Sequence, residues 1–376
     1  MEIAFVDIYN RIPISSGGDW WMFQLCTDLA RNNNVSAFYT SEKSSGEGYQ
    51  PEDVVFTTTR LDSRIDWRRR SKWLEMLRPD VLWSKTQIRD IKTDVVFTLV
   101  YGYHIAATIA KANGVPLVLV MQNVEWQYVQ GLGSLWYVPL RTLENWILRR
   151  VDAIITISPS DYDYAVKRTS RERVFYVPPR PDVRVFNPDG ARYDFGSDQF
   201  NVLFFGSLDR RPNQTALKFI SNELIPALSR KHLDDFFAVH VFGSGKMPSG
   251  LLSGTGIDFI GAVEDPGIYI RGADAIIVPI KTSSGTKLRA IESLACGKPV
   301  VIAPEAVGGL SADLKAMVYV AETADEYVET LNDIRLGALA NKAKPSVAMD
   351  HMLGETMDDV LTYVMKKRKM PAVESK

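Results

Sequence analysis

The sequence predicts an α/β protein made of two doubly wound halves. Three observations carry that prediction. Short β-rich runs alternate with helical patterns along the chain, a proline-rich break interrupts the series near its middle, and 376 residues are enough for two cores.

In the first half the β-rich runs are residues 3–6, 35–39, 54–58, 81–84, 95–100, 117–121, 153–157 and 174–177. Several follow an aspartate, as in Arg-Pro-Asp-Val-Leu-Trp and Val-Asp-Ala-Ile-Ile-Thr, where the acid ends a loop and the apolar residues enter a sheet. Residues 178–199 then hold four prolines, two glycines and four aspartates, a composition that reads as loop or linker. A second series follows at 201–205, 237–242, 258–260, 275–278 and 299–302. Between its first two runs a helix opens after Arg-Pro-Asn and carries Ala216, Phe219, Ile220, Leu224, Ile225 and Leu228 at helical spacing. The predicted domains are 1–180 and 181–354, with a last helical segment at 355–368 that could complete the first. In doubly wound sheets ligands bind beyond the carboxyl ends of the strands, so the expected site is a cleft between the halves.

Net charge is −1, which removes any global attraction to nucleic acid. The two cysteines, Cys26 and Cys296, lie far apart in apolar segments and read as small buried hydrophobes in a reducing compartment. The first residues, MEIAFVDIYNRIP, form a strand-like run without the basic region of a signal peptide, and no run of about 18 apolar residues occurs. A cytoplasmic protein with at most a peripheral membrane contact is expected.

The richest segment is 279–302. It reads as strand end, small-residue loop, helix, glycine stop and strand. Ser283, Ser284, Gly285 and Thr286 place backbone amides at a helix N-terminus, where the dipole favours an anion, and Lys287 and Arg289 add two cations. A diphosphate suits such a loop, although any αβ unit has a polar loop before its helix. Glu292, inside the helix, could accept from a vicinal diol such as ribose. Gly297 is placed as the residue that stops the helix.

This segment resembles the donor-binding motif of GT-B-fold glycosyltransferases of the retaining family 4 group, whose pattern ends in Glu-x-x-Ala-x-Gly-x-Pro-Val-Val. Its form here, Gly285-Thr-Lys-Leu-Arg-x-Ile-Glu-Ser-Leu-Ala-Cys-Gly-Lys-Pro-Val-Val, resembles a Gly-Thr-Lys-Leu-Arg subgroup. Further matches agree in order: Val177-Pro178 through Asp182, Phe186 and Pro188; Phe205-Gly206 through Pro212, Asn213 and Ala216; Phe242-Gly243-Ser-Gly245; Phe259-Ile-Gly261-x-Val263; and Gly308-Gly309-Leu310. The resemblance implies two Rossmann-like domains facing a central cleft, with a nucleoside-diphosphate sugar held by the second. It implies that Glu292 binds the donor ribose and that 283–286, with Lys287 or Arg289, hold the diphosphate. Gly17 and Gly18 look like the family's glycine loop, where a missing Cβ lets amides approach phosphate and sugar; an ordinary βα turn is the other reading.

The pattern is not met everywhere. An acid expected eight residues before Glu292 is replaced by Ser284. An Arg expected after the second-domain glycine, and a Lys five residues further on, are replaced by Ser207 and Pro212. Arg210 and Arg211, beside Ser207, are alternative phosphate cations. Val120-Met-Gln-Asn-Val-Glu-Trp resembles a His-Asn-Val-Glu element with Gln122 in place of the histidine, and glutamine cannot act as a general base. Either departing phosphate oxygens take the acceptor proton, with Gln122 only positioning a substrate, or the chain binds without turnover. His104, after a strand, could face the cleft or be structural, and Glu125 could meet a sugar hydroxyl or be a solvated loop carboxylate. Asp161-Tyr-Asp163 reads as the first turn of a helix rather than a metal site, so no metal and no cofactor beyond the donor are expected.

All eight tryptophans lie in the first half. The stretch 60–73 carries Trp67 and Trp73 among Arg64, Arg68, Arg69, Arg70 and Lys72. A second, 135–150, carries Trp136 and Trp146 among Arg141, Arg149 and Arg150. Three readings stand: a surface for anionic headgroups and a lipid-linked acceptor, a sugar-stacking acceptor cleft, or a solvated helix face over buried tryptophan. The expected activity is hexosyl transfer with retention, through oxocarbenium-like departure of a diphosphate stabilised by Lys287, Arg289 and loop amides. The acceptor is a glycan, glycolipid or polysaccharide intermediate. Rival readings are a catalytically silent binding partner and a sugar-nucleotide epimerase.

Overall fold

The structure, a computed structural model, describes residues 1–6, 17–39, 57–60, 91–131, 133–196, 198–245, 256–281, 288–350 and 355–369. Two compact units form, one from 1–178 with 353–376 and the other from 179–352.

The first unit is a parallel sheet of seven strands in the order β3-β2-β1-β4-β5-β6-β7. The strands are β1 (Glu2–Val6), β2 (Asn34–Tyr39), β3 (Thr57–Arg60), β4 (Val95–Thr98), β5 (Leu117–Met121), β6 (Ala153–Thr156) and β7 (Val174–Tyr176). Side chains alternate across the sheet, so each strand feeds two cores. Ala4, Val6, Leu119 and Ile154 pack on one face, and Ile3, Phe5, Val118 and Ile155 on the other. Helix Gly17–Ala30 covers the second face with Trp21, Leu25, Cys26 and Leu29. It shares that face with helix Met357–Lys369, whose Val360, Leu361 and Val364 join the same core. The chain is tied there by Glu355, whose Oε2 accepts the Tyr176 amide at 2.7 Å and whose own amide donates to Tyr176 O at 3.0 Å.

The second unit is a parallel sheet of six strands in the order β10-β9-β8-β11-β12-β13. These are β8 (Phe200–Phe205), β9 (Phe237–Phe242), β10 (Ile257–Gly261), β11 (Ala275–Val278), β12 (Val300–Ile302) and β13 (Val318–Val320). In both units the strand order reverses beside the first strand, between β1 and β4 and between β8 and β11. That reversal is the switch point where the loops part and leave a crevice.

Several expectations change. The run 95–100 is a strand only to Thr98, because Val100–Gly102 turns into a 3-10 helix before helix Tyr103–Asn113. β3, at Thr57–Arg60, takes in the end of the run 54–58 and continues to Arg60, while 54–56 and 81–84 lie outside the described residues. The helix after Arg-Pro-Asn is interrupted: Arg211–Phe219 passes through a π-turn at Ile220–Leu224 before Ile225–Arg230. Residues 178–196 form no helix or strand, yet part of the segment is fastened to the second unit. Buried Arg271 donates from Nε to Ala191 O at 2.8 Å and from Nη1 to Val185 O at 2.8 Å and Asn187 O at 3.4 Å. Both cysteines are buried, as their setting predicts.

Candidate functional site

Glycines stand at the carboxyl end of β8, which borders the switch point of the second unit, and at the ends of the neighbouring strands β9 and β10. β8, β9 and β10 end in Phe205-Gly206, Phe242-Gly243 and Ile260-Gly261, so three adjacent strands reach their carboxyl ends without a side chain to fill the space. The Gly206 amide donates to Phe242 O at 3.2 Å, the Gly243 amide to Gly261 O at 2.8 Å and the Leu208 amide to Ser244 O at 2.7 Å. A Cβ on Gly243 would collide with the Gly206 carbonyl oxygen, so these turns are locked together. Gly206 has φ 143°, a backbone that favours glycine, and a Cβ there would sit 2.5 Å from Arg289 Nη2.

Arg289 therefore lies directly against the bare end of β8. It stands in the first turn of helix Leu288–Ala295, held by Asn213, which is itself tied to Ser207, and by the ring of Phe204. Nη2 donates to Asn213 Oδ1 at 2.9 Å, and Asn213 Nδ2 donates to Ser207 O at 2.7 Å. The guanidinium lies 5.0 Å from the ring centre of Phe204. Nη1 is buried and has no hydrogen-bond partner among the described residues. Burial lowers the Arg289 pKa to about 10, against the opposing pull of Glu292, so the side chain is still a cation at neutral pH. A buried cationic donor with an unused N–H is costly unless an anion completes it.

Glu292, one turn further along the helix, is half-buried. Burial pushes its carboxyl up to about 7, and Arg289 pulls the other way. A carboxylate kept where its charge is unfavourable beside a buried cation is a candidate functional group. Ser207 is half-buried behind Gly206, while Arg210 and Arg211 are exposed at the start of helix Arg211–Phe219, where Arg210 is the cap residue. Ser283, Ser284, Gly285, Thr286 and Lys287 lie outside the described residues. Gln199, Asp258 and His240 line a separate pocket toward the amino ends of β9 and β10, where His240 contacts Asn201 Oδ1 at 2.9 Å and Asp258 Oδ2 at 2.8 Å.

In the first unit Gly17 and Gly18 open helix Gly17–Ala30, and His104 is a half-buried residue in the first turn of helix Tyr103–Asn113. Gln122 is half-buried just after β5. Glu125 is not a solvated loop carboxylate. The Tyr101 hydroxyl donates to its Oε2, and Asn123 Nδ2 donates to its Oε1 at 2.9 Å. Asp161 is buried in the first turn of helix Pro159–Val166, its amide donating to the capping Ser158 Oγ at 3.1 Å.

One residue that pattern reading passes over is Glu144. It sits in helix Tyr137–Leu148 and is 0% exposed. Helix Glu125–Gly131 starts after Val124, whose side chain has no oxygen to cap it, and Glu144 Oε2 accepts the Trp126 amide at 3.3 Å in that role. Burial first, then Glu125, raise its carboxyl well above the usual range, so the folded protein holds it protonated beyond the pH at which the unfolded chain ionises. The sign follows. Its contribution is full below the unfolded value of about 4.5 and is lost as pH rises toward the folded value. Glu144→Gln is thus expected to match wild type in thermal melts near pH 4 and to exceed it at pH 9. Glu144→Ala is expected to lose about 2–4 kcal/mol at either pH, because it leaves a cavity and an uncapped amide.

Residues 24–180 match the family described as Glycosyl transferase 4-like domain, and residues 199–334 match Glycosyl transferases group 1. No curated protein matches the chain in sequence. Among solved structures it is similar to a sucrose-phosphate synthase from Thermosynechococcus elongatus, at 17% identity and TM-score 0.75, with 98% of each chain covered. It is also similar to Anabaena HepE in complex with UDP-glucose, at 12% identity and TM-score 0.68, covering 98% of this chain and 100% of that one. A glycosyltransferase from Rickettsia africae gives 12% identity and TM-score 0.63, with 98% of each chain covered.

Proposed function

Since the chain is built from two glycosyltransferase family domains on the GT-B fold, we propose that it moves a hexose from a nucleoside-diphosphate sugar to a glycan, glycolipid or polysaccharide acceptor. The observation that carries the donor assignment is the unused, buried Nη1 of Arg289 at the glycine-lined switch point. Arg289 would bind the diphosphate, joined by Lys287 and the amides of 283–286, while Glu292 accepts from the ribose hydroxyls. Ser207, Arg210 and Arg211 border the same strand end.

In the proposed reaction the bond from the sugar anomeric carbon to the diphosphate oxygen breaks, and its electron pair leaves with the phosphate. Arg289 stabilises the charge that develops there, which lowers the barrier only to the extent that it binds the departing diphosphate more tightly than the intact donor. The acceptor oxygen bonds to the same carbon from the face the phosphate leaves, and its proton passes to the departing phosphate oxygen. Retention follows without a protein base, in keeping with Gln122. The donor complex of HepE supports a UDP sugar as the first to try.

Purified protein incubated with UDP-, GDP-, ADP- and dTDP-sugars is expected to release nucleoside diphosphate with one base series, slowly onto water and faster onto added glycan or lipid acceptors. Proton NMR of the product is expected to show the anomeric configuration of the donor. Binding of a donor with no release under any acceptor would assign the chain to the silent-partner reading, and an inverted product would remove the same-face step.

A further inference from the structure

Helix Tyr137–Leu148 has two apolar faces. One carries Leu140, Ile147 and Leu148 into the core of the first unit. The opposite face should be polar in a helix that only meets water. Instead Val138 is 55% exposed and Trp146 39%, with Leu135 at 84% and Trp136 at 41% in the turn leading in. At 100° per residue, positions 138, 139, 142 and 146 of the helix fall within about a third of a turn on the outer side, with Leu135 in the turn before the helix and Arg149 and Arg150 in the turn after it. Among the described residues of the first unit, Met1 is the sole other exposed large hydrophobic side chain.

The charge on this segment has one sign. Between 131 and 150 the only acid is Glu144, which is fully buried, whereas Arg141, Arg149 and Arg150 are exposed. Trp146 is held in place rather than loose. Its ring meets Tyr103 edge-on at 5.5 Å, and the Arg150 guanidinium lies over it at 3.9 Å. Indole rings with an apolar body and a polar edge, flanked by arginines, are the side chains that settle at the headgroup level of a bilayer.

We propose that this face docks on an anionic lipid surface, with Leu135, Val138 and Trp146 among the headgroups and acyl-chain ends and Arg149 and Arg150 on lipid phosphates. Each arginine near such a surface adds about 1 kcal/mol and the apolar patch is small, so attachment is reversible and salt-sensitive. The inference stands apart from the donor site, which lies in the other unit.

The test is co-sedimentation of the full chain with phosphatidylcholine vesicles, with and without phosphatidylglycerol. Wild type is expected to pellet with the anionic vesicles only, and to be released by salt. Leu135→Ser/Val138→Ser and Arg149→Gln/Arg150→Gln are each expected to reduce binding at least about fivefold while melting like wild type. No anionic binding by wild type, or binding untouched by both pairs, would overturn the proposal. So would a dimer in light scattering that either pair abolishes, without vesicle binding, because the face would then belong to a second copy of the chain.

Discussion

Arg289→Met is expected to weaken binding of the matching nucleoside diphosphate by about two orders of magnitude, and to leave binding of the bare nucleoside unchanged. Removing one member of a buried, hydrogen-bonded charge pair costs about 2–4 kcal/mol, and each 1.4 kcal/mol is tenfold. Methionine keeps an aliphatic stem and removes the guanidinium that lies near Phe204, so the loss isolates the guanidinium. Thermal stability without ligand should hold or rise, since the variant frees the fold of a buried cation whose Nη1 has no partner among the described residues. It does leave Asn213 Oδ1 without its donor, an opposing cost of about 1 kcal/mol. Equal losses for nucleoside and nucleoside diphosphate would mean that Arg289 shapes the fold and does not touch phosphate.

Glu292→Gln is expected to move two readouts in opposite directions. The folded carboxyl titrates near 7 and the unfolded one near 4.5, so the folded state holds the proton across that interval. Stability from this group is full below the lower value and is lost as pH rises through the upper one. Above pH 7 the ionised carboxylate costs the fold about 1–3 kcal/mol, less than the full shift implies because the side chain is only half-buried. The glutamine variant should therefore melt higher than wild type at pH 8 and match it near pH 4.5. Nucleotide affinity should go the other way. Wild type should lose roughly tenfold between pH 8 and 6 as the ribose acceptor is protonated. The variant should be weak and flat across that range. A variant that binds nucleotide as tightly as wild type at pH 8 would remove Glu292 from the site.

Much of this architecture can be read from the chain, because buried parallel strands are continuous apolar runs. Leu117–Met121, Phe237–Phe242 and Ala275–Val278 have the same bounds in sequence and structure. β13 has only three residues, too few to stand out between two helices, and went unread. The π-turn at Ile220–Leu224 hides because the apolar spacing runs through it as it would through a regular helix. Arg271 could not be interpreted locally, since two of its carbonyl partners lie 80 and 86 residues away. Glu144 was hidden by its surroundings. Set among arginines and tryptophans it looks like a surface charge, and only the fold shows it capping a neighbouring helix. In the donor region the glycines and Arg289 can be picked out as a pattern. That Asn213 ties Ser207 to Arg289 depends on two loops meeting at a strand end, which spacing does not reveal.

The donor assignment is tested most directly by calorimetric titration of wild type and Glu292→Ala with UDP, GDP, ADP and dTDP at pH 8. The expected result is that one base binds wild type in the micromolar to low-millimolar range and binds Glu292→Ala at least about tenfold more weakly. If no nucleoside diphosphate binds wild type at millimolar concentration, the second unit is not a nucleotide-sugar site.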